Sequence, residues 1–415
     1  MVDHIFPVLI GGKRYSKEFQ TAERFAAHWQ RVLAQHYGHS HGTCCCPGRG
    51  DRKLAIKPRA GTYHLARFPL TGYEHSNECR FYAPAPEHSG MQGYDKGVVE
   101  EGDDGQLRIR LARGIRILPA REAADDSEPA PSRPGARKPA MTLLGLLHLL
   151  WQESRLNTWY PAMAGKRNAL VVGSALRRAA ERVATDRLTI ADVLLVPARK
   201  DGKGAQANQR VAAQALERSR RLVVVAPLAR YDAQKHGDGL EKLPLSWPFG
   251  MPTLYLQKGQ WGRVHQSFRQ ELSAWMRGDT VMAIAHVEMK AGAKSAYGKI
   301  LDIALMHLSE QWIPLDSGFE AVIESKLRAE GRAFEKPMRF DADEDCVFPD
   351  FWLLDVDAKF PMEVFGMGTP EYLQRKADKV NHYNSEYGPT AWWSWNAFRD
   401  PRGLQIPDFP PAARR

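Results

Sequence analysis

Two groups of residues have types and spacings suited to chemistry, and they lie towards opposite ends of the chain. Three adjacent cysteines, Cys44, Cys45 and Cys46, are followed by His75 and then Cys79. Thiolate and imidazole are the usual ligands of structural zinc, four of them closing a tetrahedron. Cys44, Cys46, His75 and Cys79 are therefore a candidate Zn²⁺ site, and Cys45 is an alternative to either neighbouring cysteine. His75 and Cys79 are four positions apart, so one helical turn would put both on one face. Pro47 and Gly48 permit the tight turn that a ligand knuckle needs. No general base stands beside these residues, so the expected role is structural. His36, His39 and His41 read as surface loop.

The second group offers oxygen. Glu320, Asp350 and Glu363 fall in the last quarter of the chain. Mg²⁺ or Mn²⁺ is commonly held by one or two carboxylates together with water and substrate phosphate. Such a cation acidifies water for in-line attack on a phosphodiester. Asp350 and Glu363 are the expected ligands, with Glu320 as a third catalytic carboxylate. A positioning cation is also needed. Tyr372, Lys376, Lys379 and Tyr383 recur at helical spacing and share one face. Lys379, or else Lys376, is the candidate catalytic amine. Tyr372, Arg375 and Tyr383 are expected to contact nucleic acid through charge and stacking. Each residue alone reads as an ordinary strand or helix-surface residue; their joint order is what points to a site.

The carboxylates need a frame. Asp316 or Ser317 can cap a helix, Phe319, Val322, Ile323 and Leu327 give it an apolar stripe, and Gly331 ends it. Strand patterns follow at 333–340, 347–354 and 361–366. A helix at 370–387 has proline in its first turn, and a last strand covers 390–396. The order is helix, three strands, helix, strand. Asp350 and Glu363 then stand on neighbouring strands, close enough to share a cation.

Upstream, a helix is expected at 21–37 and strands at 53–57 and 63–67. Residues 106–117 alternate apolar and basic side chains, as a half-buried strand pair does. Residues 120–139, with four prolines, read as an exposed linker. A largely buried helix over 142–159 and an amphipathic one over 175–184 come next. Strands are expected at 193–197, 221–227, 253–258 and 281–289, with helices at 206–218 and 264–277. The expected fold class is α/β of the mixed α+β kind, in several domains. These are an N-terminal Cys/His region (1–118), a linker (119–140), a mixed α/β middle domain (141–290), a C-terminal αβββαβ module (291–400) and a tail (401–415). Asn157, Trp159, Lys166 and Arg167 are types that could contact a nucleic acid or a partner, but tryptophan and leucine at helical spacing read as core, and no chemistry is assigned there.

Lys and Arg number 58 against 48 Asp and Glu, a formal charge of +10. That excess favours a polyanionic partner through counterion release. The longest apolar run, 141–151, is about half the length of a membrane span. The N-terminal stretch lacks a basic n-region and a small-residue cleavage site. A cytoplasmic protein with no membrane partner is expected, and in that compartment five cysteines argue for metal rather than disulfides.

With those residues in view, the chain resembles an uncharacterised bacterial family, a domain of unknown function carried on plasmids and integrative elements. The resemblance covers most of the chain. It is carried by the CxC knuckle with YHLARFPLTGYEHSNEC, by LLGLLHLLWQESRLNTWYPAMAGKR, and by PDFWLLDVD, MEVFGM and YLQRKADKVNHYNSEYGPTAWWSW. The last quarter also resembles PD-(D/E)xK nucleases, in a variant where EVFG precedes a helix bearing Tyr, Lys and Tyr. That resemblance implies a restriction-endonuclease-like module with Glu320, Asp350 and Glu363 as metal-site carboxylates. It makes Lys379 a migrated catalytic lysine, because Phe365 stands two residues after Glu363, where the lysine usually is. The expected function is a metal-dependent DNA endonuclease or nickase of a mobile element. The alternative is a non-catalytic DNA-binding or recruitment protein on a vestigial nuclease fold. A third is a structural protein of a conjugation or partition complex, with protein partners from the same element.

Overall fold

The computed structural model describes residues 5–59, 62–67, 74–76, 79–81, 99–101, 106–117, 140–185, 187–237, 239–338, 349–356, 360–367 and 370–413. Two compact units divide the chain. One takes Met1–Ser89 with Met367–His382, the other Gly90–Gly366 with Tyr383–Arg415.

The first unit opens with the hairpin β1 (Val8–Ile10) and β2 (Lys13–Tyr15), then α1 (Lys17–Thr21), α2 (Ala26–His36), β3 (Gly42–Cys44), β4 (Lys53–Arg59) and β5 (Thr62–Arg67). Its sheet runs β2-β1-β3-β4-β5, antiparallel throughout. Gly11 and Gly12, both at positive φ, make the hairpin turn. The helix expected from residue 21 is split: a 3-10 turn at Glu23–Phe25 precedes α2. Trp29 and Leu33, one turn apart, then bury against Val8, Ile10, Leu54 and Leu65, and Cys44, Cys46 and Cys79 belong to this same core.

The second unit contains, in order, β6 (Val99–Glu101), β7 (Leu107–Ile109), α3 (Leu143–Glu153), β8 (Thr158–Trp159), α4 (Ala169–Ala180), β9 (Val183–Thr185), β10 (Leu188–Thr189), β11 (Leu194–Leu195), α5 (Lys203–Glu217), β12 (Arg221–Pro227), β13 (Leu254–Tyr255), α6 (Gln260–Ser267), α7 (Arg269–Arg277), β14 (Thr280–Lys290) and β15 (Tyr297–Leu308). These are followed by α8 (Gly318–Ala329), β16 (Phe334–Glu335), β17 (Phe351–Leu353), β18 (Phe360–Val364), α9 (Pro370–Glu386), which crosses between the units, and β19 (Trp393–Trp395).

The larger core lies around the sheet β11-β12-β14-β15-β13. Helix α3 starts at Thr142, whose hydroxyl accepts the Gly145 N–H at 3.0 Å. Most of its leucines and Trp151 are fully buried, so the apolar run is a core helix. Among the described residues no helix is long and apolar enough to cross a membrane. The single helix expected at 264–277 is two, α6 and α7. The break falls at Phe268, whose backbone leaves the helical region at φ −124° and ψ 46° while its side chain enters the core.

The C-terminal sheet runs β19-β18-β17-β16-β8. Strands β16, β17 and β18 are antiparallel, and β19 joins β18 in parallel. From α8 to β19 the element order is the expected helix, three strands, helix, strand. Strand β8 was not expected: the Thr158–Trp159 segment pairs antiparallel with β16 as a fifth strand.

One titratable group in the larger core has a pH signature. His286 on β14 is buried, its Nε2 has no hydrogen-bond partner among the described residues, and burial, helped by Arg221 and Arg113, pushes its pKa down to about 4. The unfolded chain therefore binds an extra proton between pH 6.5 and about 4. The stability this group contributes is present above pH 6.5 and is lost as pH falls through that window, on the order of 3 kcal/mol in all. Chemical denaturation from pH 7 to pH 4 is expected to show a shallower stability loss in His286→Phe than in wild type, whatever the variant's absolute stability.

Candidate functional site

Cys44, Cys46, His75 and Cys79 come together, all four buried, with one ligand atom from each within 4.8 Å of the others. Cys44 ends β3, Cys46 lies in the bend that follows, and both are buried while Cys45 between them is left half-buried outside the group. The two halves of the site are drawn together at Gly48. A Cβ there would lie 2.1 Å from the Glu74 carbonyl oxygen, and Arg49 N–H donates to that oxygen at 2.6 Å. Arg52 donates to the carbonyls of Cys44 (3.2 Å) and Gly48 (2.8 Å), fixing the knuckle from outside. His75 and Cys79 do not share a regular α-helix: His75 lies in a bend, and Cys79 N–H closes a turn on the Ser76 carbonyl.

The donor spacing fits zinc. Tetrahedral ligands at the usual Zn–S and Zn–N bond lengths stand about 3.8 Å apart for two sulfurs and about 3.6 Å for sulfur and nitrogen. Cys44 Sγ and Cys79 Sγ are 3.6 Å apart, and His75 Nδ1 is 3.5 Å from Cys46 Sγ and 3.6 Å from Cys79 Sγ. This Cys3His group can bind zinc. The Cys79 thiol and burial push the Cys44 thiol up to about 12, so a metal entering the group must displace protons.

The carboxylates of the C-terminal sheet are held in a second arrangement. Asp350 stands immediately before β17 and is tied to residues on both sides of Glu363. Its N–H donates to the Met362 carbonyl at 2.9 Å, and its Oδ2 accepts the Val364 N–H at 2.7 Å. The two acids are thereby kept at one level of the sheet. Glu363 is buried on β18, and its Oε1 accepts the Tyr383 hydroxyl at 2.7 Å. Burial raises the Tyr383 phenol well above its ordinary value, with Glu363 and Asp350 adding to the effect, so this hydroxyl stays a donor. Tyr383 is itself buried, its ring stacked on Trp392 at 5.1 Å, and it supports Glu363 rather than offering an open face.

Glu320 is on α8, with Ser317 capping the helix as expected. Its Oε2 is 2.7 Å from Lys336 Nζ, a residue the sequence reading overlooked. Lys336 also pairs with Asp316 Oδ2 at 2.9 Å. Burial opposes charge on this ammonium, but Asp316, Glu320 and Asp350 outweigh it and raise its pKa above the ordinary lysine value. Burial raises the Glu320 carboxyl, partly offset by Lys336. Lys336 is placed by the strand the sequence did not suggest: Asn157, just before β8, donates to the Lys336 carbonyl at 2.9 Å and accepts its N–H at 2.8 Å. Arg167 fixes the same segment through the carbonyls of Leu156, Thr158 and Gln311, and burial lowers its pKa to about 10. Asn157 and Arg167 thus hold backbone carbonyls of this segment.

Other expected residues fall differently. Phe365 is buried, and its N–H and carbonyl both bond backbone neighbours of β19. Tyr372, Lys376 and Lys379 are half-buried on the part of α9 that belongs to the first unit. The side chain of Arg375 lies outside the described residues. A lysine flanked by Glu335 and Pro337 gives no spacing signal in sequence, which is why Lys336 was not found.

Matching residues 16–397 to a family model places this chain in the family described as "Protein of unknown function (DUF1173)", to which it belongs. Comparison with curated proteins gave no match, and neither did comparison with solved structures.

Purified protein is expected to carry one zinc ion per chain by elemental analysis. Cys46→Ala and Cys79→Ala should lose it and melt earlier, while Cys45→Ala keeps it; equal zinc in all three would remove the assignment. Lys336→Met should cost about 3–5 kcal/mol in urea unfolding, because buried Glu320 loses the ammonium that offsets its burial and must either take up a proton or stay charged without a partner. Adding Glu320→Gln should recover most of that loss, and no recovery would count against the pairing.

Proposed function

We propose that this protein is a metal-dependent phosphodiester hydrolase acting on DNA, with Asp350 and Glu363 as the Mg²⁺ or Mn²⁺ ligands. The observation that carries the reading is the pair of Asp350 hydrogen bonds to the residues flanking Glu363, which hold Asp350 opposite Glu363 on the neighbouring strand. The donor set suits a hard cation, and among the described residues Asp350 Oδ1 makes no hydrogen bond. When bound, such an ion would acidify a water and offset charge on the phosphate. Tyr383 orients Glu363. Lys336 supplies the amine that Phe365 cannot, and Glu320 with Asp316 positions it. The αβββαβ order, with β19 parallel to β18, supports a PD-(D/E)xK-like module. The +10 charge favours a polyanionic substrate. A role on plasmids or integrative elements, and any protein partners there, belong to the same proposal.

Phe365 in the core favours a second reading, a DNA-binding or recruitment protein on a fold that no longer cuts. Supercoiled plasmid incubated with Mg²⁺ or Mn²⁺ distinguishes the two. Wild type is expected to nick or linearise it, Asp350→Asn and Glu363→Gln to reduce cutting to background with unchanged melting, and Tyr383→Phe to slow it about 10- to 100-fold. Normal cutting by both carboxylate variants would end the hydrolase reading. Salt-sensitive binding without turnover, unaltered by Asp350→Asn, would establish the second.

A further inference from the structure

The second unit contains a cleft of about 1000 Å³ that neither the zinc group nor the carboxylates use. Its walls combine aromatic rings with guanidinium groups: Trp247, Trp312 and Tyr231, with Arg199 and Arg230. Trp247 is 46% exposed, and its ring stacks on no aromatic group among the described residues. Arg199 and Arg230 are exposed, and among the described residues neither guanidinium makes a hydrogen bond or ion pair. Arg277, also on the wall, is differently placed, because Asp279 takes its charge at 3.3 Å.

The backbone supplies an independent observation. Trp247 and Trp312 both sit in the left-handed region, at φ 55° and 66°. Bulky L residues avoid that region, and sites where it persists cluster at ligand clamps. Trp247 also precedes Pro248, and a residue before proline strongly prefers extended backbone. The surrounding structure enforces these conformations. The Trp247 carbonyl accepts Ala198 N–H at 3.2 Å, the next turn at Gly250 lies too close to the Ala205 carbonyl for any Cβ, and the Trp312 carbonyl accepts Trp151 Nε1–H at 3.2 Å. Two tryptophans at positive φ line this one cleft, and the ring of Trp247 is exposed.

We propose that this cleft binds single-stranded nucleic acid, an unpaired base stacking on Trp247 while Arg199 and Arg230 hold flanking phosphates. Aromatic faces beside a cationic groove are how single strands are held without sequence readout. A duplex keeps its base faces covered, so stacking on Trp247 selects unpaired bases. The binding needs no hydrolysis and stands apart from the carboxylate site.

The test is fluorescence anisotropy with a short labelled oligothymidylate, in buffer without added divalent cation. Wild type is expected to bind the oligonucleotide more tightly than a matched duplex, an abasic strand of equal charge, or thymidine monophosphate. Trp247→Ala should weaken binding about tenfold or more, with Trp247→Phe restoring most of it. Arg199→Ala with Arg230→Ala should lower the salt dependence of log K by about 1.4, two phosphate contacts' worth for a single strand. Equal binding of the abasic strand, or an unchanged Trp247→Ala, would overturn base stacking. Equal affinity for the monophosphate would overturn the strand as ligand. If Asp350→Asn abolishes cutting and oligonucleotide binding persists, the two proposals are separated and this one holds.

Discussion

A buried ammonium joins the parts of the C-terminal structure that matter. Lys336 is enclosed between Glu320 and Asp316, and its main chain is held on both sides by Asn157. Burying a lone charge is costly, so each member of this group requires the others. The pairing fixes the start of α8 against the segment after β16, and the field of Asp350 reaches the same group. Asp350, just before β17, and Glu363 on β18 thus belong to the same sheet as this buried, ion-paired cluster. A site built on such elements keeps its geometry better than one built on connections.

The sequence disclosed the frame of this region and left the wiring unread. The apolar stripe of α8, its Ser317 cap and the proline that opens α9 are local signals, and the helices lie where those signals place them. Asp350 and Glu363 were found because short apolar runs around them read as strands. Lys336 was missed because its meaning comes from Asn157, 179 residues away in sequence. No period or cap encodes such a contact. Tyr383 was recognised as belonging to a helical face, but the face was read as exposed. The residue turned inward because Glu363 supplies a partner for its hydroxyl.

The cysteine group shows the opposite balance. Ligand types pointed to Cys44, Cys46, His75 and Cys79 but left Cys45 as an alternative, and the structure buries the first four together with Cys45 half-buried outside the group. The expected helical turn between His75 and Cys79 was an inference from spacing alone. A four-residue interval suits a helix, but His75 lies in a bend and the Cys79 N–H bonds the Ser76 carbonyl instead.

Strand β8 has a consequence for how the chain can be divided. It comes from residues 158–159, yet it covers the outer side of β16, and the segment around it anchors Lys336. A fragment cut near residue 290 would retain every carboxylate of the candidate site but lose this cover. The N–H and C=O groups of β16 would then face water as an open sheet border, a ready template for intermolecular pairing. The last quarter thus completes its sheet with two residues borrowed from upstream, and a piece that keeps this border covered must reach back to β8 and Asn157.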